Sequence, residues 1–181
     1  MLKFTLRSET TAPEKWDEMA YKLKILSDME LCLLAYSGRV QAQDLDDVWR
    51  TAEAAPHYSP EFDDIALLAP DADYSDIDHD ITLQQSIKFV DAYRKTNLKR
   101  PKRCAFVCSN EMQETMAKMF GAYVYSQGVP NIEVQSFTSL QLALDWVESG
   151  VRLTRKIDRA EVERVIVQMG AEWCLKSAVA A

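Results

Sequence analysis

Short apolar runs alternate along the chain with longer stretches in which apolar residues recur at helical spacing. Tyr21, Leu23 and Ile25 alternate with Lys22 and Lys24, the period of two that marks a half-buried strand over 21–26. Residues 31–36 are apolar at every position, as in a strand covered on both faces, and 27–30 make a hairpin connection between the two. Ser37 and Gly38 end that strand. A first helix is predicted over 44–54, with Leu45, Val48, Trp49 and Ala52 on one stripe and Asp44, Asp46 and Asp47 at its dipole-positive start. Pro56 and Pro60 break the chain before a short buried strand at 65–69. A second helix follows over 81–96, with Leu83, Ile87 and Val90 as its core face, and then a strand at 104–108. Ser109 or Asn110 caps a third helix, whose stripe is Met112, Met116, Met119, Phe120 and Tyr123. Gly128 and Pro130 precede an alternating strand at 131–137, placed near a sheet edge. Thr138 or Ser139 caps a fourth helix carrying Leu140, Ala143, Leu144 and Val147, which Gly150 closes. A last helix spans 158–176 with Val162, Val165, Ile166, Met169 and Trp173 on one side.

The order ββαβαβαβα plus one helix predicts an α/β fold: a mixed, largely parallel sheet with an antiparallel N-terminal hairpin and helices packed on it. The division expected is a polar lead-in at 1–20, the α/β domain at 21–150 and a C-terminal helical extension at 151–181. That extension follows a complete domain, so its apolar face needs cover. Either it folds back on its own sheet, or Val162, Val165, Ile166, Met169 and Trp173 pair with the same helix of a second chain; a two-fold homodimer is the expectation.

Composition narrows the partners. At 181 residues, 48% hydrophobic and 27% charged, the chain has the balance of one that buries a core. Its net charge of −7 repels phosphate backbones, which disfavours nucleic acid and anionic membrane surfaces. No apolar run is long enough to span a bilayer. Residues 1–8 lack the apolar stretch of a secretory signal, and the expected location is the cytoplasm. The four cysteines, Cys32, Cys104, Cys108 and Cys174, fit reduced thiols and form no Cys-x-x-Cys motif. Cys104 and Cys108 lie roughly 13 Å apart on one strand, too far for a disulfide.

The segment 71–80 is the most chemically loaded. It carries Asp71, Asp73, Asp76, Asp78 and Asp80 with His79, an oxygen-rich set whose spacing is not that of an EF-hand; helix capping is its favoured role. His57 lies in a proline-flanked loop and reads as a surface residue. Ser75 and Ser109 stand in no nucleophile elbow, and neither a dinucleotide nor a phosphate-binding glycine loop occurs. The methionines of the third helix read as core, or as the wall of a cavity for an apolar ligand. Lys99, Arg100, Lys102 and Arg103 read as a solvated basic turn. No catalytic residue, metal ligand or cofactor site is assigned.

Three pieces of the stretch 21–149 carry a family resemblance. They are the hairpin ending in Tyr36-Ser37-Gly38 with a helix after it, the strand running into Pro70-Asp71-Ala72-Asp73, and the strand ending at Phe137 before a helix with Ala143 and Trp146. With these the chain resembles the SpoIIAA-like group of STAS-type domains, which is similar in outline to the CRAL-TRIO lipid-binding fold. Better-known relatives are antagonists of anti-sigma factors, switched by phosphorylation of a serine at the start of the helix after this strand. Here that helix start reads Asp78-His79-Asp80, so the phosphorylatable serine has no match. The resemblance implies a non-enzymatic interaction or regulatory module of STAS type with a protein partner, with Asp73, Ser75, Asp78 and His79 as the candidates for binding it. The alternative is a carrier of a small apolar or lipid-like ligand.

Overall fold

Every residue of Leu31–Tyr36 and of Asp63–Leu68 is buried, so these two strands take the centre of the sheet. In this computed structural model, which describes residues 20–96, 98–150 and 156–178, the strands are β1 (Tyr21–Leu26), β2 (Leu31–Tyr36), β3 (Asp63–Leu68), β4 (Lys102–Cys108) and β5 (Ile132–Phe137). They lie in the order β1-β2-β3-β4-β5. β1 and β2 form an antiparallel hairpin through a 3₁₀ turn at Ser27–Met29, and the other pairs are parallel. The mixed sheet with its N-terminal hairpin is the arrangement the alternation predicts.

Period two then sorts the side chains into two layers. Leu31, Leu33 and Ala35 of β2, Ile65 and Leu67 of β3, and Ala105 and Val107 of β4 share one face. On it lie α4 (Leu140–Glu148), α5 (Arg159–Gln168) and a 3₁₀ segment, Glu172–Ala178. Cys32, Leu34 and Tyr36, with Ala66, Leu68 and Cys108, take the other face. That face is covered by α1 (Ala42–Ala54), α2 (His79–Arg94) and α3 (Glu111–Ser126). Asn110, Ser139, Asp78 and Asp158 cap α3, α4, α2 and α5 by accepting from backbone N–H groups of the first turn.

The last helix differs from expectation in two ways. It does not run through to 176: α5 stops at Gln168, and Gly170 takes φ +68°. Ala171 N–H donates to the Ile166 carbonyl at 3.0 Å and Gly170 N–H to that of Val167 at 2.9 Å, the paired bonds of a Schellman ending. Its apolar face also folds back. Val162, Val165, Ile166 and Met169, expected at a dimer interface, are buried in the core of their own sheet, and Trp173 packs half-buried beside them. Lys22 Nζ of β1 ties this layer down by donating to the Met169 carbonyl at 2.9 Å.

Three further expectations shift. The buried side of α2 is Phe89, Val90 and Tyr93, with Ile87 turned out, because Tyr93 and Phe89 stack with Trp49 of α1. On α3 the buried residues are Gln113, Ala117 and Val124, and Met112 is exposed. The basic segment is not a solvated turn. Lys102 opens β4 and is wholly buried, and Arg103 lies over the Trp146 ring at 4.9 Å while bonding Glu133 at 2.8 Å. No helix among the described residues is long and apolar enough to cross a membrane.

Candidate functional site

The carboxyl ends of β2 and β3 run into two loops that clasp one another. Val40 N–H donates to the Asp73 carbonyl at 2.9 Å and Asp73 N–H to that of Gly38 at 2.8 Å; Gly38 turns the chain there at φ +65°. Beyond β3 the loop alternates from Asp71 to Ser75 and then turns Ile77 inward. Ala72, Tyr74 and Ile77 point inward and are buried, while Asp71, Asp73, Ser75, Asp76, Asp78, His79 and Asp80 are exposed. One loop thus has an apolar underside and an acidic outer side.

Beneath it, between the sheet and the three-helix layer, lies a cavity of about 130 Å³. Tyr36, Leu68 and Phe106 from the strands form its floor. Leu45 and Trp49 of α1 and Tyr74 and Ile77 of the loop make one wall; Met116, Ala117 and Phe120 of α3 make another. Its polar groups are mostly committed elsewhere. Gln113 donates from Nε2 to the Ala69 carbonyl and accepts from Ser109 N–H, both at 2.8 Å. Thr82 Oγ1 donates to the Asp78 carbonyl at 2.8 Å, and Gln85 Nε2 to Asp46 at 3.0 Å. Among the described residues the buried Tyr74 hydroxyl, which lines the cavity, lacks a hydrogen-bond partner. Burial pushes the Tyr36 and Tyr74 phenols up, so both are neutral at physiological pH.

The sequence-predicted residues stand together on the rim, engaged in local structure. Asp78 caps α2, accepting from Ile81 N–H at 2.8 Å, and Asp73 accepts from Ser75 N–H at 2.9 Å. His79 bonds through Nε2 to the Tyr123 hydroxyl, with the rings edge-to-face at 5.4 Å. Asp76 is held by both arms of Arg39, at 2.7 and 2.9 Å, and this hydrogen-bonded ion pair keeps its carboxyl below the usual range. Among the described residues no three His, Cys, Asp or Glu side chains converge where they could hold a metal ion. His57 sits exposed at φ +65° in the turn after α1, away from this rim.

A second polar cluster lies buried on the same sheet face. Lys102 Nζ meets Asp64 at 2.9 Å, donates also to the Phe62 carbonyl, and rests 5.0 Å from the centre of the Tyr93 ring. Burial opposes the lysine's charge, but the Asp64 carboxylate and its neighbours outweigh it and hold its pKa above the ordinary value. Cys32, Asp64 and Cys104 form one rung across β2, β3 and β4, with Cys104 Sγ 3.5 Å from Asp64. The thiols are two strand spacings apart, roughly 9.5 Å, too far for a disulfide. Burial pushes both thiols up, which suppresses the nucleophilic thiolate. The sequence carried a signal for this cluster: Lys102 alternates with Cys104, Phe106 and Cys108, and Asp64 with Ala66 and Leu68, so period two turns both inward.

The sequence model of the SpoIIAA-like family matches residues 31–148. A solved structure of an uncharacterised protein of the DUF3478 family from Shewanella loihica PV-4, described as having a SpoIIAA-like fold, superposes with a TM-score of 0.43. It shares 18% sequence identity, over 70% of this chain and 93% of that one. No curated protein matches the sequence.

Proposed function

The chain belongs to the SpoIIAA-like family, and from that premise we propose that it is a non-enzymatic binding module that takes a small apolar ligand under the loop at 69–78. Membership supplies the fold, and a fold by itself assigns no function, so the site must carry the argument. The observation that carries it is the cavity of about 130 Å³ walled by Trp49, Phe106, Met116 and Phe120. Its size limits the occupant. An apolar cavity of about 150 Å³ holds a benzene ring, whereas pockets for drug-sized ligands run to about 300 Å³ or more. A single ring or a short branched chain fits here. The buried, proton-retaining thiols and the rim residues' structural tasks support binding over catalysis.

Benzene titrated against labelled protein should move the NMR signals of Trp49, Ala117 and Phe120. Ala117→Leu, which fills the space, should weaken the effect by at least about tenfold. Wild-type spectra unmoved at benzene saturation would overturn the reading.

The loop's outer side favours a second reading, in which the module meets a protein. Asp71, Asp73, Ser75, Asp78 and His79 present a mostly acidic strip, which fits a basic partner surface. A partner captured by the wild type should be lost to the pair Asp71→Lys with Ser75→Lys. Equal capture by both proteins would refute a contact through this rim.

A further inference from the structure

We infer that the cavity is selective for an uncharged, single-ring aromatic compound bearing one oxygen that hydrogen-bonds to the Tyr74 hydroxyl. This rests on the ligand-binding reading above and names the class of ligand. Three features of the wall argue for it.

The first is the company a ring would keep. Phe106 and Phe120 already meet edge-to-face at 5.8 Å, and Trp49 and Tyr36 add two more aromatic surfaces. Aromatic walls reward an aromatic guest beyond the area buried, through edge-to-face and offset contacts, and the Met116 thioether is a further favourable neighbour for a ring. The second is charge. No Asp, Glu, Lys, Arg or His lines the cavity, and its tyrosines keep their protons. An ionised guest would lose its hydration with nothing in return, so benzoate-like or ammonium-bearing compounds are selected against.

The third is the unfilled hydrogen bond. Tyr74 is 7% exposed and its hydroxyl has no partner, while Gln113 and Thr82 beside it have theirs. A buried hydroxyl left in that state is costly, and native structures keep few of them. A guest oxygen supplies the partner and relieves that cost, which a pure hydrocarbon cannot do. The Tyr36 ring, 6.4 Å from that of Tyr74, closes the same end of the cavity.

The test compares benzene, phenol and benzoate against the wild type and Tyr74→Phe, by NMR titration of the full chain. On Tyr74→Phe the preference for phenol over benzene should fall by about three- to tenfold, the usual worth of one net hydrogen bond, with benzene affinity within about twofold of wild type. On the wild type, benzoate should bind at least about tenfold more weakly than phenol. If benzene and phenol both bind but Tyr74→Phe leaves their ratio unchanged, the Tyr74 assignment is wrong and the cavity reading survives. If benzoate binds as well as phenol, the selection against charge is wrong, and this holds even should Tyr74→Phe fail to fold. If neither benzene nor phenol binds, both the inference and the reading beneath it fall.

Discussion

Lys102 keeps an ammonium group in the interior because three neighbours share its charge. These are the Asp64 carboxylate, the Phe62 carbonyl and the face of the Tyr93 ring. Breaking such a pair costs more than making it gains, since the survivor is left buried and unpaired. Lys102→Met should therefore lower stability by about 3–5 kcal/mol in urea unfolding. Adding Asp64→Leu should restore much of the loss, and an unchanged midpoint for the single variant would refute the pairing. The inward direction of both residues is legible in the period-two pattern. Their meeting is not, because they sit on different strands and only the β3–β4 register sets Asp64 opposite Cys104. Tyr74 is a similar case: alternation in the loop turns it inward, but nothing local says that its hydroxyl finds no partner there.

Among the elements, α5 departs furthest from expectation. Val162 and Ile166 are fully buried under the sheet, while Val167 on the same helix stays 48% exposed. Ile166→Ala should cost about 2–5 kcal/mol, as a core truncation that leaves a cavity. Val167→Ala should change the unfolding midpoint little, and equal effects at the two sites would contradict this packing. Gly170→Ala should cost about 1 kcal/mol, because an L-residue pays to adopt the left-handed turn. The helix stop at Gly170 was masked, because the apolar spacing runs on past it to Trp173, although a glycine in the left-handed turn is a usual ending. The destination of the stripe was hidden too, because an apolar face specifies that it must be covered and not by what. The same reason explains α2, where the aromatic cluster with Trp49 rotated the buried side from Leu83 and Ile87 to Phe89 and Tyr93.

For the molecule as a whole, the titrating groups of the interior point one way. Burial raises all four thiols, Cys108 to about 11 and Cys174 to about 12, from an ordinary value of 9.0. Lys102 is also raised, from 10.5. As pH climbs past 9 the unfolded chain releases these protons first, so the folded state binds more of them and stability falls with rising pH. The contribution is whole below pH 9 and is lost progressively as each folded-state value is passed. Urea midpoints should hold steady from neutral pH to about 8.5 and then decline, and Cys108→Ala should make the decline shallower. A midpoint that rose above pH 9 would refute this dependence.

Element order, strand faces, most caps and the parallel sheet with its N-terminal hairpin were determined by the sequence alone. Each depends on spacing within a few residues, and periods of two and 3.6 report which faces must leave water. Layer assignment, the fold-back of α5, the Lys102–Asp64 pair and the cavity were decided only by tertiary structure. Each of these is a relation between residues far apart in the chain. A cavity is the volume that distant side chains fail to fill, and no local pattern records that shortfall. The acidic loop shows both halves at once: its outward carboxylates are plain in the sequence, and the apolar space beneath them exists only where α1, α2 and α3 close over the sheet.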